Sequence, residues 1–218
     1  MHIQDSIITT IPVFKLGDSL KKVIQFFKGA TYSHIAVVDG DTYVGVLEKN
    51  DLDNFEADKR IEEYRYQLET FFVGKETSWL DVLETFSKNG ANLLPVISGE
   101  GQVMGYYDLM EVVNKFIDTP FFTEPGGILV LAKGIKDYSF SEIAQIVESN
   151  NIKLIGGFIT DIRNDVIQIT IKIGSSHLND VIQSFRRYNY TILYGDHDDR
   201  FIENLKQRSE YLDKYLNV

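Results

Sequence analysis

The feature that most constrains this chain is a pattern written twice. Leu20, Val23, Ile24 and Phe27 fall at i, i+3, i+4 and i+7, one face of a helix that Asp18-Ser19 opens. Trp79, Val82, Leu83 and Phe86 repeat that spacing 59 positions later, again after a serine, Ser78. Each predicted helix leads to a short apolar run, His34-Ile-Ala-Val-Val38 in the first copy and Leu93-Leu-Pro-Val-Ile97 in the second. Turn residues follow (Asp39-Gly40-Asp41 and Ser98-Gly-Glu-Gly101), then Tyr43-Val-Gly-Val-Leu47 or Val103-Met-Gly-Tyr-Tyr107. Both copies carry an acidic residue six places after the strand glycine, Asp51 after Gly45 and Glu111 after Gly105, and an apolar helix is expected next. The unit reads helix, strand, hairpin turn, strand, helix. One copy buries too little surface to be stable alone, so the two are expected to pack on one another. Between them, residues 54–68 are charged and helix-favouring, which predicts a solvated connecting helix.

Charge and composition remove several functions. Lys plus Arg is 22 and Asp plus Glu is 32, a formal net charge of −10 over 218 residues. Nucleic acids and anionic membrane surfaces are bound through clustered basic residues, so this balance argues against both. There is no cysteine, hence no disulfide, thiol nucleophile or cysteine zinc site. The longest apolar stretch, Gly127-Ile-Leu-Val-Leu-Ala132, is far short of the ~18 residues of a membrane span. The first residues carry neither a basic n-region nor a signal h-region, so the expected location is the cytoplasm.

In order and offset, the two copies resemble a tandem pair of CBS domains, over about residues 1–118 with repeats near 8–55 and 70–117. The resemblance implies a disc with two clefts that bind adenosine nucleotides and related ligands, and association of such pairs through their helices into a homodimer. Nucleotide-binding CBS repeats carry Gly-x-x-(Ser/Thr)-x-x-Asp, with the hydroxyl on phosphate and the Asp on the ribose hydroxyls. Here the first copy reads Gly45-Val-Leu-Glu48-Lys-Asn-Asp51 and the second Gly105-Tyr-Tyr-Asp108-Leu-Met-Glu111. A carboxylate 4 Å from a phosphate charge is repulsive by about 4 kcal/mol at an effective dielectric of 20. The resemblance therefore implies Asp51 as the ribose acceptor of the first cleft, with Ser33, His34 and Ile35 as its base-side wall. In the second cleft the matching positions are Asn92, Leu93 and Glu111.

The signal changes after Phe116. Thr119-Pro120 and Glu124-Pro-Gly-Gly127 punctuate residues 119–125 as a linker would. Residues 1–118 hold 11 basic and 19 acidic side chains (−8), residues 119–218 hold 11 and 13 (−2). Strands are predicted at 128–132, at 152–162 and at 190–194. A fourth is marked by the alternation of Ile167, Ile169, Ile171 and Ile173 with Gln168, Thr170 and Lys172. Helices are predicted where Ser141 caps a run with Ile143, Ile146 and Val147 on one face, and where Leu178, Val181, Ile182 and Phe185 share a face. The order is βαββαβ. Residues 126–196 resemble an ACT domain, a regulatory module that binds amino acids and pairs its sheets. The family's Asp-x-Pro-Gly-x-Leu loop stands here as Asp137-Tyr-Ser-Phe-Ser-Glu-Ile143, without the Pro or the Gly. A final helix over 198–218 is expected to cover this ACT-like domain, which would then run from 126 to 218. The fold class is therefore α+β, a CBS-type pair followed by a ferredoxin-like ACT-like domain. In domain order the chain resembles the acetoin-utilisation-type CBS–ACT regulators.

Motifs of catalysis are missing: no Gly-x-Ser-x-Gly, no P-loop and no His-Glu-x-x-His. The cluster Gly195-Asp-His197-Asp198-Asp199 has metal-ligand letters but reads as a turn capping the next helix. Gly99-Glu-Gly101-Gln-Val-Met-Gly105 lies between two strands and reads as a hairpin, not a dinucleotide loop. No catalytic residue, metal or cofactor is assigned. The sequence predicts a non-enzymatic regulatory protein that senses a small, adenosine-type ligand and acts on a partner enzyme. The alternative is a dimerisation or partner-holding scaffold with degenerate clefts.

Overall fold

The computed structural model describes residues 3–174 and 178–195. The chain divides into two compact units, Met1–Ile117 and Asp118–Val218. Among the described residues, no helix is long and apolar enough to cross a membrane.

In the first unit, β1 (Phe14–Lys15), α1 (Leu20–Lys28), β2 (His34–Asp39) and β3 (Thr42–Glu48) make one repeat. Its counterpart is β4 (Val73–Gly74), α2 (Trp79–Lys88), β5 (Leu93–Ile97), β6 (Val103–Asp108) and α3 (Leu109–Ile117). The two three-stranded sheets share one topology, β1 parallel to β2 and β2 antiparallel to β3, then β4 parallel to β5 and β5 antiparallel to β6. Ser19 Oγ accepts from the Lys21 amide at the start of α1 and Ser78 Oγ from the Asp81 amide at the start of α2. Each hydroxyl satisfies an amide that has no partner inside its helix. Leu20, Val23 and Phe27 are buried on α1, and Val82 and Phe86 on α2.

The strand glycine of each copy explains itself at the junction between copies. Gly45 has φ +156° and Gly105 φ +148°, each beside a bulge in its ladder. The backbone of Glu69 exchanges two hydrogen bonds with Val46 (2.8 and 3.0 Å), and that of Ile8 exchanges two with Tyr106 (2.8 and 2.9 Å). A Cβ at Gly45 would stand 2.7 Å from the Glu69 carbonyl oxygen, and one at Gly105 2.6 Å from that of Ile8. The segment leading into each repeat thus lies against the last strand of the other.

Two expectations are corrected here. Residues 54–68 are not a solvated helix: they follow a 3-10 segment at Asn50–Asn54 and contain one at Ile61–Gln67, kinked at Tyr64, in which Ile61 is wholly buried. The carbonyls of Ala57 and Lys59 accept from the amides of Lys21 and Leu20, and Ile61 N donates to Asp18 O. These long-range bonds at the N-terminus of α1 outweigh local helix propensity. Nor does a helix follow the first copy's acidic residue. Asn50, Asp51, Asp53 and Asn54 are residue types of low helix propensity, whereas α3 starts from Asp108, whose Oδ1 accepts from the Met110 and Glu111 amides.

The second unit contains α4 (Pro120–Thr123), β7 (Gly127–Gly134), α5 (Phe140–Ser149), β8 (Leu154–Arg163), β9 (Val166–Ile173), α6 (Leu178–Arg187) and β10 (Thr191–Gly195). Its sheet is antiparallel throughout in the order β10-β7-β9-β8. Ile167, Ile169, Ile171 and Ile173 are buried on the face that meets Ile143, Ile146, Val147, Val181, Ile182 and Phe185. On the other face Lys172 Nζ donates to the Phe122 carbonyl (3.1 Å). Phe122 belongs to α4, so a stretch expected as linker is partly helical. The cap of α5 is Ser139, not Ser141: its Oγ accepts from the Glu142 amide. Asn164 and Asp165 turn β8 into β9 with φ of +50° and +61°. The helix expected over 198–218 lies outside the described residues, as does the cluster around His197.

Candidate functional site

Strands β2 and β3 place His34 directly opposite Glu48, at the end of the ladder far from the hairpin turn. The Glu69–Val46 bridge brings a third residue to the same place, because Val46 sits two positions from Glu48. His34 Nε2 lies 3.8 Å from Glu69 Oε2, and the donor atoms of His34, Glu48 and Glu69 all lie within 4.8 Å of one another. The imidazole is 3% exposed and meets the Phe71 ring edge-on at 5.1 Å. Asp51 follows in the turn after β3.

These groups perturb one another. Burial pushes the His34 imidazole below its usual range, against the pull of the Glu48 and Asp51 charges. Burial raises the Asp51 carboxyl, and Glu48 raises it further while His34 opposes. Glu69 is raised by burial first, then by Glu48 and Asp51. Among the described residues no lysine or arginine is ion-paired with any of the three carboxylates. Glu48 Oε1 instead accepts from Asn50 Nδ2 at 2.8 Å. The arrangement is a cluster of acidic side chains around one buried imidazole, suited to a cationic or neutral hydrogen-bonding ligand.

Ser33 and Asn92 stand 59 residues apart at the same place in the two copies. They bond reciprocally: Ser33 N donates to Asn92 Oδ1 (2.7 Å) and Asn92 N to Ser33 Oγ (2.9 Å). Ser33 Oγ also lies 2.8 Å from His34 Nδ1. The structure thus gathers Ser33, His34 and Asp51 with Glu48 and Glu69, and ties Asn92 in through Ser33. Ile35 and Leu93 are wholly buried and join the apolar core. Glu111 lies in the first turn of α3, its amide donating to Asp108 Oδ1 (3.2 Å). The acidic cluster is not repeated. In the second copy Leu93 takes the place of His34, Ile8 that of Glu69, and Asp108, in the place of Glu48, caps α3. Glu69 is the member that sequence reasoning missed. Its signal was the repeat extended backwards, since a threonine follows position 8 in the first copy and position 69 in the second.

Residues 5–58, the first repeat, match the family model of the CBS domain. No curated protein matches the chain. Among solved structures, similarity extends to a CBS domain pair/ACT domain protein from Thermotoga maritima, 19% identical over 54% of this chain and 98% of that one, with a TM-score of 0.49. The CBS domains of a transcriptional regulator from Streptococcus pneumoniae are 15% identical over 52% and 98%, TM-score 0.47. CBSX2 in complex with AMP is 18% identical over 53% and 96%, TM-score 0.44.

Proposed function

We propose that this chain is a non-enzymatic regulatory protein whose first repeat senses a small, adenosine-type ligand. The observation that carries the reading is the gathering of Asp51, His34 and Ser33 at one end of a repeat that matches the CBS domain. Asp51 accepts the ribose hydroxyls, while Glu48 and Glu69 repel phosphate. The ligand is therefore adenosine, or an adenosine compound with a positive group, rather than ATP. Binding acts by favouring one conformational or assembly state over another, not by driving chemistry. On this reading residues 126–218 are an ACT-like domain, and the protein works as a cytoplasmic homodimer on a partner enzyme.

Calorimetry on chelator-treated protein tests the ligand. Wild type is expected to bind adenosine more tightly than ATP, Asp51→Ala to lose adenosine binding, and Glu48→Thr to gain affinity for ATP. Tight ATP binding by wild type, or adenosine binding that survives Asp51→Ala, would overturn the pose. A second reading, a scaffold, is favoured at the second cleft alone, where Leu93 is core and Asp108 is committed to the α3 cap.

A further inference from the structure

We propose that His34, Glu48 and Glu69 form a binding site for a divalent first-row transition metal, of which Zn2+ is the test case. One nitrogen and two carboxylate oxygens converge there, with donor atoms within 4.8 Å of one another. Carboxylates alone would be an ordinary acidic surface. The independent observation is His34, whose imidazole is 3% exposed and whose Nε2 makes no hydrogen bond, aimed instead at Glu69 Oε2 from 3.8 Å.

The hydrogen-bond network favours a proton on His34 Nδ1. Ser33 Oγ donates to Asn92 Oδ1 (3.0 Å) and accepts from Asn92 N (2.9 Å). With its proton so committed, Ser33 Oγ accepts from His34 Nδ1–H at 2.8 Å. A neutral imidazole with its proton on Nδ1 turns the Nε2 lone pair towards two carboxylates, a repulsion that a proton or a metal cation at Nε2 relieves. Metal-bound histidines hold their second nitrogen in this manner, and the outer partner orients the ring.

Donor chemistry narrows the cation. Magnesium and calcium favour all-oxygen shells, whereas an imidazole with carboxylates suits zinc, manganese, iron, cobalt or nickel. Bonds of 2.0–2.2 Å would set the donors roughly 3.4 Å apart in a tetrahedral shell. The 3.8 Å between His34 and Glu69 must therefore contract by a few tenths of an ångström, and the donor separations that involve Glu48, all within 4.8 Å, by up to about 1.4 Å. Glu69, 44% exposed at its side chain, has the freedom to move that far. Three protein ligands leave a coordination position open to water or to a ligand atom. A cation there would also reverse the repulsion that Glu48 exerts on phosphate; the metal proposal shares His34, Glu48 and Glu69 with the adenosine cleft but does not rest on the adenosine reading.

The test titrates Zn2+ alone into the untagged full-length protein after chelator treatment and dialysis, with no nucleoside present. One Zn2+ per chain is expected at the site. Glu48→Gln, Glu69→Gln and His34→Gln are each expected to weaken it at least tenfold, and Glu62→Gln, an exposed acid elsewhere, to leave it unchanged. Co2+ loading is expected to give a visible absorption band that His34→Gln shifts or abolishes. No binding by wild type would overturn the proposal. Equal binding by wild type and all three cluster variants would reduce it to an adventitious ion only. Loss confined to His34→Gln, with Glu48→Gln and Glu69→Gln binding as wild type, would refute the carboxylate ligands. Because adenosine is absent, the adenosine result on chelated protein stands whichever way this one falls.

Discussion

Gly45 and Gly105 show how much one missing methyl group can decide. Each combines a positive φ with a carbonyl oxygen closer than any Cβ tolerates. Gly45→Ala is expected to cost about 2 kcal/mol or more, from backbone strain plus displacement of the Glu69 segment. Gly17→Ala, with nothing within 4 Å and no positive φ, should stay within about 0.5 kcal/mol. Urea denaturation of both variants checks the contrast; equal stabilities would mean that the segment shifts at no cost. Glu142 offers a titration. Its hydrogen bond to Lys133 Nζ (2.6 Å) holds its carboxyl below 4.5. A carboxyl lowered on folding stabilises the fold above its unfolded pKa and ceases to as pH falls through the folded value. The stability gap between wild type and Glu142→Gln should therefore be full at neutral pH and close as pH drops below 4.5. Denaturation midpoints across that range measure it, and a gap that persists in acid would mean that the pair contributes through packing.

Helices and strands with a clear period could be read from the sequence; segments whose partners are distant could not. Leu20, Val23 and Phe27 announce α1 through their own spacing, and the isoleucines of β9 alternate openly. Residues 54–68 spell a helix yet adopt 3-10 turns, because their carbonyls are recruited by the first amides of α1 nearly forty residues earlier. The site divides the same way. Ser33, His34 and Asp51 lie near a legible strand glycine, but Glu69 arrives through a two-bond bridge to Val46 that no local pattern encodes. The β8–β9 hairpin supplies an element-level test. Asn164 and Asp165 both hold left-handed backbone, the geometry that Asn-Gly turns adopt most readily. Asp165→Gly should stabilise the second unit by about 0.5 kcal/mol, since the Asp165 carbonyl that accepts from Ile135 N is retained. A lower melting temperature for this variant would show that the aspartate side chain matters more than its φ.

The division of the chain bears on how it unfolds and assembles. Each unit has its own apolar core, Leu20, Val23, Val82 and Phe86 among the first and Leu129, Ile143, Ile169 and Phe185 among the second. Residues 1–120 are therefore expected to unfold cooperatively by themselves. A non-cooperative melt of that fragment would mean that the cores depend on each other. Light scattering at micromolar concentration is expected to give a particle of twice 25.0 kDa, and a 25.0 kDa particle would refute the homodimer.

The bonds between the two repeats that recur in both copies are backbone bridges, Ile8 with Tyr106 and Val46 with Glu69. Side chains add Ser33 with Asn92, Asn92 with Thr31, Tyr43 with Phe71, and Tyr106 with Ala36 and Pro12. Symmetry is thus demanded of the main chain and of two glycines, while the side chains at 34 and 93, at 48 and 108, and at 8 and 69 answer to no such rule. A change that equips one cleft leaves the other's frame intact. The molecule is one scaffold running two separate experiments in recognition, and the histidine and acids of the first have no counterpart that must keep pace in the second.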